Sequence, residues 1–423
     1  MAEKKRMTSR ERVLKALNHE EPDRCPIDCG GTRVTGIHAD LYAQMGEYLG
    51  IDTELPKVWD QFQWLARVEE PLRTRFQGDV IHLENFIEYF ELRNWHWKPY
   101  VTPMQNRVLV PGDFNPIEDE RGYLHLKGLT EATREKTLGL QPKGGIYFER
   151  YNDPADEHDY DDPMTPEEWG RIYDQRYRYT DEELRRLEKT AKWMHEYTDL
   201  AVVGGFNRLK MTSPVTYAGH NINDWMLRLM LEEDYVDEIL AVSSEHCSAI
   251  AKEYLQAVGP YIDILSCSTT DYGTQDRELF NPDIFAEHFV EPIRKFNDAV
   301  HACADVKTFF HSCGSIYHLL PYMIDAHIDV LNPIQTAAKN MDAADIKEKY
   351  GKQIAIWGCG MDTQQALPGS TPEEIRELVK KRMEIMKPGG GFVFAPEHNL
   401  QWGVPIPNIV AMYDAAIEFR DYE

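Results

Sequence analysis

Residues 306–332, VKTFFHSCGSIYHLLPYMIDAHIDVLN, hold a complete structural unit in one stretch. The β-branched and aromatic run at 306–310 predicts a strand, Gly314 a tight bend, 315–326 a helix and 328–331 a second strand. A strand, a crossover helix and another strand imply parallel pairing. The rhythm repeats on both sides. Strands are expected near residues 26, 81, 202, 264, 308, 330, 356 and 394. Helices are expected over 180–197, 223–231, 235–258, 342–350, 372–386 and 408–419, and from Asn281-Pro282 through Phe296. Eight such units predict an α/β chain of the (β/α)8 TIM-barrel type, with its active site at the C-terminal strand ends. An open doubly wound sheet is the alternative, because periodicity does not reveal closure.

The front of the chain fits the same plan. Thr8 and Glu11 have capping-box spacing ahead of Val13, Leu14 and Leu17, which predicts a first helix. A short strand over 25–28 follows, then a helix over 38–49 closed by Gly50, and a second strand over 78–83. From 84 to 162 the texture changes to aromatics, Pro and Gly with short alternating stretches at 107–110 and 123–126. This is read as a β-rich excursion inserted after the second strand, ending in an acidic loop over 153–162. The expected organisation is a single barrel domain over residues 1–423 with an insert at approximately 84–162.

Composition narrows the function. The 423-residue chain carries a net charge of −25, which argues against nucleic acid as a partner. No apolar run approaches the roughly 20 residues of a membrane span, and the charged start MAEKKR does not read as a secretory signal. Seven cysteines, an odd number, do not suggest a disulfide scaffold, so a cytoplasmic protein is expected. No GxGxxG or Walker A loop follows a strand, which lowers the dinucleotide and nucleotide readings.

In a barrel, the residues just after each strand carry the chemistry. Here they include Asp28 and Arg33, Glu84, Phe206 and Asn207, Asp271 and Tyr272, His311 and Cys313, Asn332 and Gln335, Cys359 and Asp362, and Glu397, His398 and Asn399. The sharpest feature is His311-Ser312-Cys313-Gly314, because imidazole and thiolate are common zinc ligands and the glycine permits a bend. Three residues compete as third ligand: Cys359, Glu397 and His398. Asp271, Tyr272 and His398 are the candidate proton donors, and Asp28, Arg33, Asn332 and Gln335 the candidate substrate contacts. Capping of a following helix is the plainer role for Asp271 and Asp362. Cys25, Cys29, Cys247, Cys267 and Cys303 read as packing residues, with Cys267 at a strand end.

Several segments together resemble the uroporphyrinogen decarboxylase superfamily. They are RERVLKAL at 10–17 followed by EPDRCP at 21–26, DYGTQ at 271–275, HSCG at 311–314, DVLNPIQ at 329–335, residues 357–364, and the end from GGGF at 389–392 to PEHN at 396–399. The resemblance implies a (β/α)8 barrel. It is closer to the corrinoid-dependent methyltransferase branch than to the decarboxylase. The decarboxylase resembles a carboxylate clamp built on Arg-Gln-Ala-Gly-Arg after the first strand, where this chain has GGTRVTG at 30–36 with one arginine. Its Phe-Ser-Asp segment is also replaced, by Leu83-Glu84-Asn85.

In the methyltransferase branch, His-x-Cys binds zinc with a further cysteine after the last strand; here an ungapped match puts His398 in that place. The resemblance therefore implies zinc, a cobalamin (corrinoid) supplied by a partner protein, and a small-molecule methyl donor such as a methoxylated aromatic. The aromatic insert, with Trp95, Trp97, Tyr100 and Tyr123, is a candidate substrate lid. The alternatives are a thiol methyl- or alkyltransferase, a decarboxylase-like lyase and a small-molecule-binding barrel without catalysis. A homodimer is expected on general grounds.

Overall fold

The computed structural model describes residues 6–52, 54–151, 160–205, 208, 211–214, 217–268 and 270–422. Phe206, Asn207 and most of the acidic loop at 153–162 lie outside the described residues. Seven parallel strands run side by side: Val80–His82, Ala201–Gly205, Ile264–Ser266, Lys307–His311, Val330–Asn332, Ala355–Trp357 and Phe392–Val393. Residues 25–28 complete the ring as its first stave, through a single bridge rather than a regular strand, so that in chain order Val80–His82 is the second and Phe392–Val393 the eighth. The Phe394 N–H donates to the Pro26 carbonyl (2.9 Å) and the Asp28 N–H to the Phe394 carbonyl (2.8 Å). On the other edge the Asp79 N–H donates to the Ile27 carbonyl at 2.7 Å. The sheet is thereby closed into a TIM barrel, and the open doubly wound alternative is excluded.

Alternation along each strand sorts the side chains into two cores. Val80, Ala201, Val203, Ile264, Phe309, Val330, Ala355 and Val393 fill the barrel axis, whereas Val202, Leu265, Phe310, Leu331 and Ile356 face the helices. The first helix, Ser9–Leu17, has the expected Thr8–Glu11 capping box and sends Val13 and Leu17 into the axial core. Its Arg12 is buried against Asp23 and Asp79. The same parity places His82, His311, Asn332 and Trp357 toward the axis at the C-terminal strand ends.

The outer layer departs from expectation in three places. A helix at Pro166–Tyr177, capped by Thr165 and Glu168, precedes the expected Asp181–Tyr197 helix. Between the fifth and sixth strands there is only a 3-10 turn, Tyr317–Leu319, and a short helix, Leu320–Asp325, where Pro321 starts the winding afresh. Before the second strand, Ile37–His38, Leu65–Ala66 and Val58–Asp60 form an antiparallel three-stranded sheet that periodicity did not reveal.

The region after the second strand is β-rich, as expected. It comprises the hairpin Lys98–Val101 with Arg107–Val110, and an antiparallel sheet in the order Glu149–Arg150, Thr137–Gln141, Leu124–Lys127, Ile117–Glu118. Tyr100, Phe114 and Phe148 pack around Trp64 of the small sheet. Tyr100 thus packs the insert onto the small sheet rather than forming a lid surface. Among the described residues no helix is long and apolar enough to cross a membrane. Cys25, Cys29, Cys247 and Cys267 are buried, whereas Cys303 is exposed and not a core residue.

Arg33 is the cation on which the mouth of the barrel is packed. It is fully buried, pairs with Asp60 at 2.9 Å and with Glu88, and lies over the rings of Trp59 and Tyr89, each 4.8 Å away. Burial pushes Glu88 up to about 7 despite the neighbouring guanidinium. An Arg33→Met variant strands two buried carboxyl groups and should lose about 3–5 kcal/mol in urea unfolding. Glu88 would then bind its proton more tightly folded than unfolded, so the deficit should shrink as pH falls from about 8 toward about 5. A variant of unchanged stability at both pH values would contradict this role.

Candidate metal centre

Two loops meet at the mouth of the fifth strand. Gly314 has φ +88°, and a Cβ there would come within 2.5 Å of the Gly273 backbone. A Cβ on Gly273 would in turn meet the Ser315 nitrogen at 2.8 Å and the Cys313 oxygen at 2.9 Å. Only two glycines allow so close a crossing. The crossing is held by hydrogen bonds from the Ser315 N–H to the Thr274 carbonyl (2.7 Å) and from the Tyr272 N–H to the Ser312 hydroxyl (3.0 Å). It brings Asp271 beside the His-Ser-Cys-Gly turn.

His311, Cys313 and His398 gather their donor atoms within 4.8 Å of one another. His311 Nε2 lies 3.5 Å from Cys313 Sγ. A tetrahedral zinc with bonds of about 2.0 Å to nitrogen and about 2.3 Å to sulfur sets such donors about 3.6 Å apart, so the pair fits the ion. The His311 and His398 rings stand 5.6 Å apart between centroids. Of the three candidate third ligands, the structure brings in His398. Cys359 is buried elsewhere, its thiol pushed up to about 12 by burial. Glu397 turns aside to accept the Thr336 hydroxyl at 2.5 Å.

The ring of His311 is oriented from behind. Asn332 stands opposite it in the parallel register of the fifth and sixth strands. Its Nδ2 donates to the Trp357 carbonyl (2.8 Å), which leaves Oδ1 to accept from His311 Nδ1–H at 2.6 Å. That hydrogen bond holds Nδ1 as the donor and turns Nε2 toward Cys313. Asn332, expected to touch substrate, is a positioning residue. Gln335 is another: its Oε1 accepts from the Gly314 N–H at 2.8 Å and pins the turn.

Asp271 does not cap a helix. Its Oδ1 accepts from the Cys313 N–H at 2.7 Å and lies 3.5 Å from His311 Nε2, with half of its side chain reaching solvent. Burial works to raise its pKa, but the bond and charge of His311 and the Cys313 N–H hold it down at about 2. His311 and the Cys313 N–H thus favour its carboxylate form. Burial alone would lower His311, yet Cys313 and Asp271 raise it well above its ordinary value. Burial pushes the Cys313 thiol up, with His311 opposing. Burial, helped by His311, brings His398 down to about 4, so that its ring is neutral and carries a lone pair.

Three other expected site residues lie outside the cluster. Tyr272 packs edge-on against Phe285 and Phe289 and bonds Thr212 at 2.5 Å, so its hydroxyl is in the helix layer and cannot serve as the acid. Asp28 accepts from the Gly31 N–H (2.6 Å), the Thr35 hydroxyl (2.7 Å) and the Trp357 indole (2.8 Å), a joint between the first and seventh staves. Arg33 is committed to Asp60 and Glu88. Asp362 does have the plain capping role, accepting from the N–H groups of Gln364, Gln365 and Ala366.

The sequence profile of uroporphyrinogen decarboxylase (URO-D) matches residues 161–419. A methyltransferase from Methanosarcina mazei superposes with a TM-score of 0.57 over 98% of this chain and 99% of that one, at 17% identity. A Listeria monocytogenes protein proposed to be a vitamin-B12-independent methionine synthase covers 63% of this chain and 99% of its own, at 14% identity and a TM-score of 0.33. No curated protein matches the chain.

Replacing Asn332 with alanine should weaken zinc binding about 10–100-fold, measured by competition with a chromophoric chelator. In the unsubstituted protein the affinity should rise with pH, because His311 and Cys313 shed protons before they ligate. An Asn332→Ala protein of full affinity would remove the orienting role.

Proposed function

The chain belongs to the uroporphyrinogen decarboxylase family, and we propose that within it this protein is a zinc-dependent, corrinoid-linked methyltransferase. The observation that carries the reading is the convergence of His311 Nε2, Cys313 Sγ and a ring nitrogen of His398, with Asn332 fixing the first. Those three side chains would hold the ion and leave a fourth position open to substrate. When bound, zinc supplies Lewis acidity to an ether or phenol oxygen. The donor set contains one thiolate and two neutral imidazoles, so it would leave a zinc site with net charge of about +1, more electrophilic than a two-thiolate site. This supports an oxygen ligand over a thiol and hence O-demethylation of a methoxylated aromatic or similar small molecule.

In that reaction the methyl–oxygen bond breaks with its electron pair left on oxygen. A reduced corrinoid on a partner protein would be the acceptor of the methyl group, and the oxygen would take a proton from solvent. The chain's own part is placement. Asp271 and Gln335 hold the Cys313–Gly314 backbone, Asn332 orients the His311 ring, and the paired loops keep the cluster at the mouth. The decarboxylase reading is weakened by Arg33. The one arginine in the segment after the first stave is already neutralised by Asp60 and Glu88, which leaves it unable to clamp a polycarboxylate.

Two measurements test the proposal together. Elemental analysis should find about one zinc per chain, lost in His311→Ala and Cys313→Ala proteins that remain folded. The zinc protein should transfer methyl groups from methoxyaromatics to free cob(I)alamin, followed by the change in corrin absorbance. The Cys313→Ala protein should be slower by more than about a hundredfold. A folded zinc-free protein, or turnover confined to thiols, would overturn the reading.

A further inference from the structure

A large cavity lies away from the cluster, at the second strand. It encloses about 1020 Å³, within the range that takes a drug-sized molecule, and none of its lining residues belongs to the metal centre. Its walls come from the second strand, the segments at 59–73 and 84–95, and the Asp181–Tyr197 helix. Three features of this cavity have no role in methyl transfer.

The first is a pair of buried polar side chains with unused atoms. His82 is 8% exposed and Asn85 1% exposed, and both line the cavity. Neither ring nitrogen of His82 has a hydrogen-bond partner among the described residues, and neither does Nδ2 of Asn85. Burial, with Arg33 nearby, brings His82 down to about 3, so its ring is neutral and offers one donor and one acceptor. A buried polar atom without a partner is costly, and such atoms in native proteins commonly mark a binding function.

The second feature is an aromatic wall. His82 lies 4.7 Å from the Trp59 ring. Phe86 and Trp95 meet edge to face at 5.2 Å, with the Arg186 guanidinium 4.3 Å from Phe86 and 5.1 Å from Trp95.

The third is an imbalance of charge. Three of the four carboxylates that line the cavity are paired with a cation, and the fourth is bonded to a hydroxyl. Glu84 pairs with Arg67 and Glu182 with Arg186, Glu69 lies 3.3 Å from Lys57, and Glu70 accepts the Thr74 hydroxyl at 2.8 Å. Arg185 and Lys189, one helical turn apart on the same wall, have no carboxylate partner among the described residues.

From these features we propose that the cavity at the second strand is a binding site for a planar aromatic ring carrying an anionic group, with the ring against Trp59 and Trp95, the polar substituents on His82 and Asn85, and the anion toward Arg185 and Lys189. The ligand chemistry is that of an aromatic carboxylate. The assignment does not depend on the methyl-transfer reading, because the cavity and the cluster share no residue.

The test is equilibrium binding of 4-hydroxybenzoate to the full chain by calorimetry and tryptophan quenching, with phenol and cyclohexanecarboxylate as probes lacking the anion or the aromatic ring. The zinc-free His311→Ala protein should bind 4-hydroxybenzoate at one site, with an affinity also found in the unsubstituted protein; any additional site at the zinc, where a phenol oxygen can bind, should be lost with His311. Both comparison probes should bind at least about tenfold more weakly. His82→Leu should also weaken binding at least about tenfold without lowering the melting temperature, since it removes a group whose ring nitrogens have no hydrogen-bond partner among the described residues. Arg185→Ala with Lys189→Ala should weaken binding and flatten its dependence on salt. Absence of binding to the unsubstituted protein would overturn the proposal, as would full affinity in His82→Leu and in the Arg185, Lys189 variant. Binding lost only with His311 would place the ligand at the metal centre and overturn it too, whatever the outcome for methyl transfer.

Discussion

The closure of the sheet at residues 25–28 is the constraint on which the rest depends. Three backbone hydrogen bonds, one from and one to Phe394 and one from Asp79, join the last stave to the second through a segment too short to register as a strand. Asp28 reinforces that joint by reaching the Trp357 indole of the seventh stave. With the ring closed, the ends of the fifth and eighth staves open on the same mouth, and His311 and His398 can share a ligand despite their separation in the chain.

Closure alone gives proximity. Orientation comes from strand parity and from the register of the fifth and sixth strands. His311 falls on the axial side because Phe309 does, and Asn332 falls opposite it because Val330 and Phe309 pair. The amide of Asn332 has one choice of direction once Trp357 takes its donor. The candidate metal ligand is thus aimed by a contact inside the strand ladder, where motion is smallest. The loops supply the rest, through the Gly273–Gly314 crossing and the Asp271 carboxylate against the Cys313 N–H.

Much of this was legible in the sequence. The eight strand positions fall within a few residues of where hydrophobic runs placed them, and the Thr8, Thr180 and Gly50 signals mark real helix ends. His311 and Cys313 stood out because their chemistry and spacing are local. What stayed hidden was non-local. Asn332 reads as a substrate contact until its register with His311 is known, and Tyr272 reads as an acid until its neighbours Phe285 and Phe289 are seen. Arg33 looks like a free cation because Asp60 and Glu88 come from segments 27 and 55 residues further on. Cys359, Glu397 and His398 were equal candidates, since a one-residue difference after a strand reverses where a side chain points. The short sheet around Trp64 escaped because two- and three-residue strands leave no periodic trace.

The central claim is the identity of the ligands: one thiolate and two imidazoles. X-ray absorption at the zinc edge of the loaded protein tests it most directly. A first shell with one sulfur at about 2.3 Å and the remaining nitrogen or oxygen donors at about 2.0 Å is predicted, with the sulfur contribution absent in Cys313→Ser and the imidazole scattering reduced in His398→Ala. A shell with two sulfurs, or with none, would contradict it.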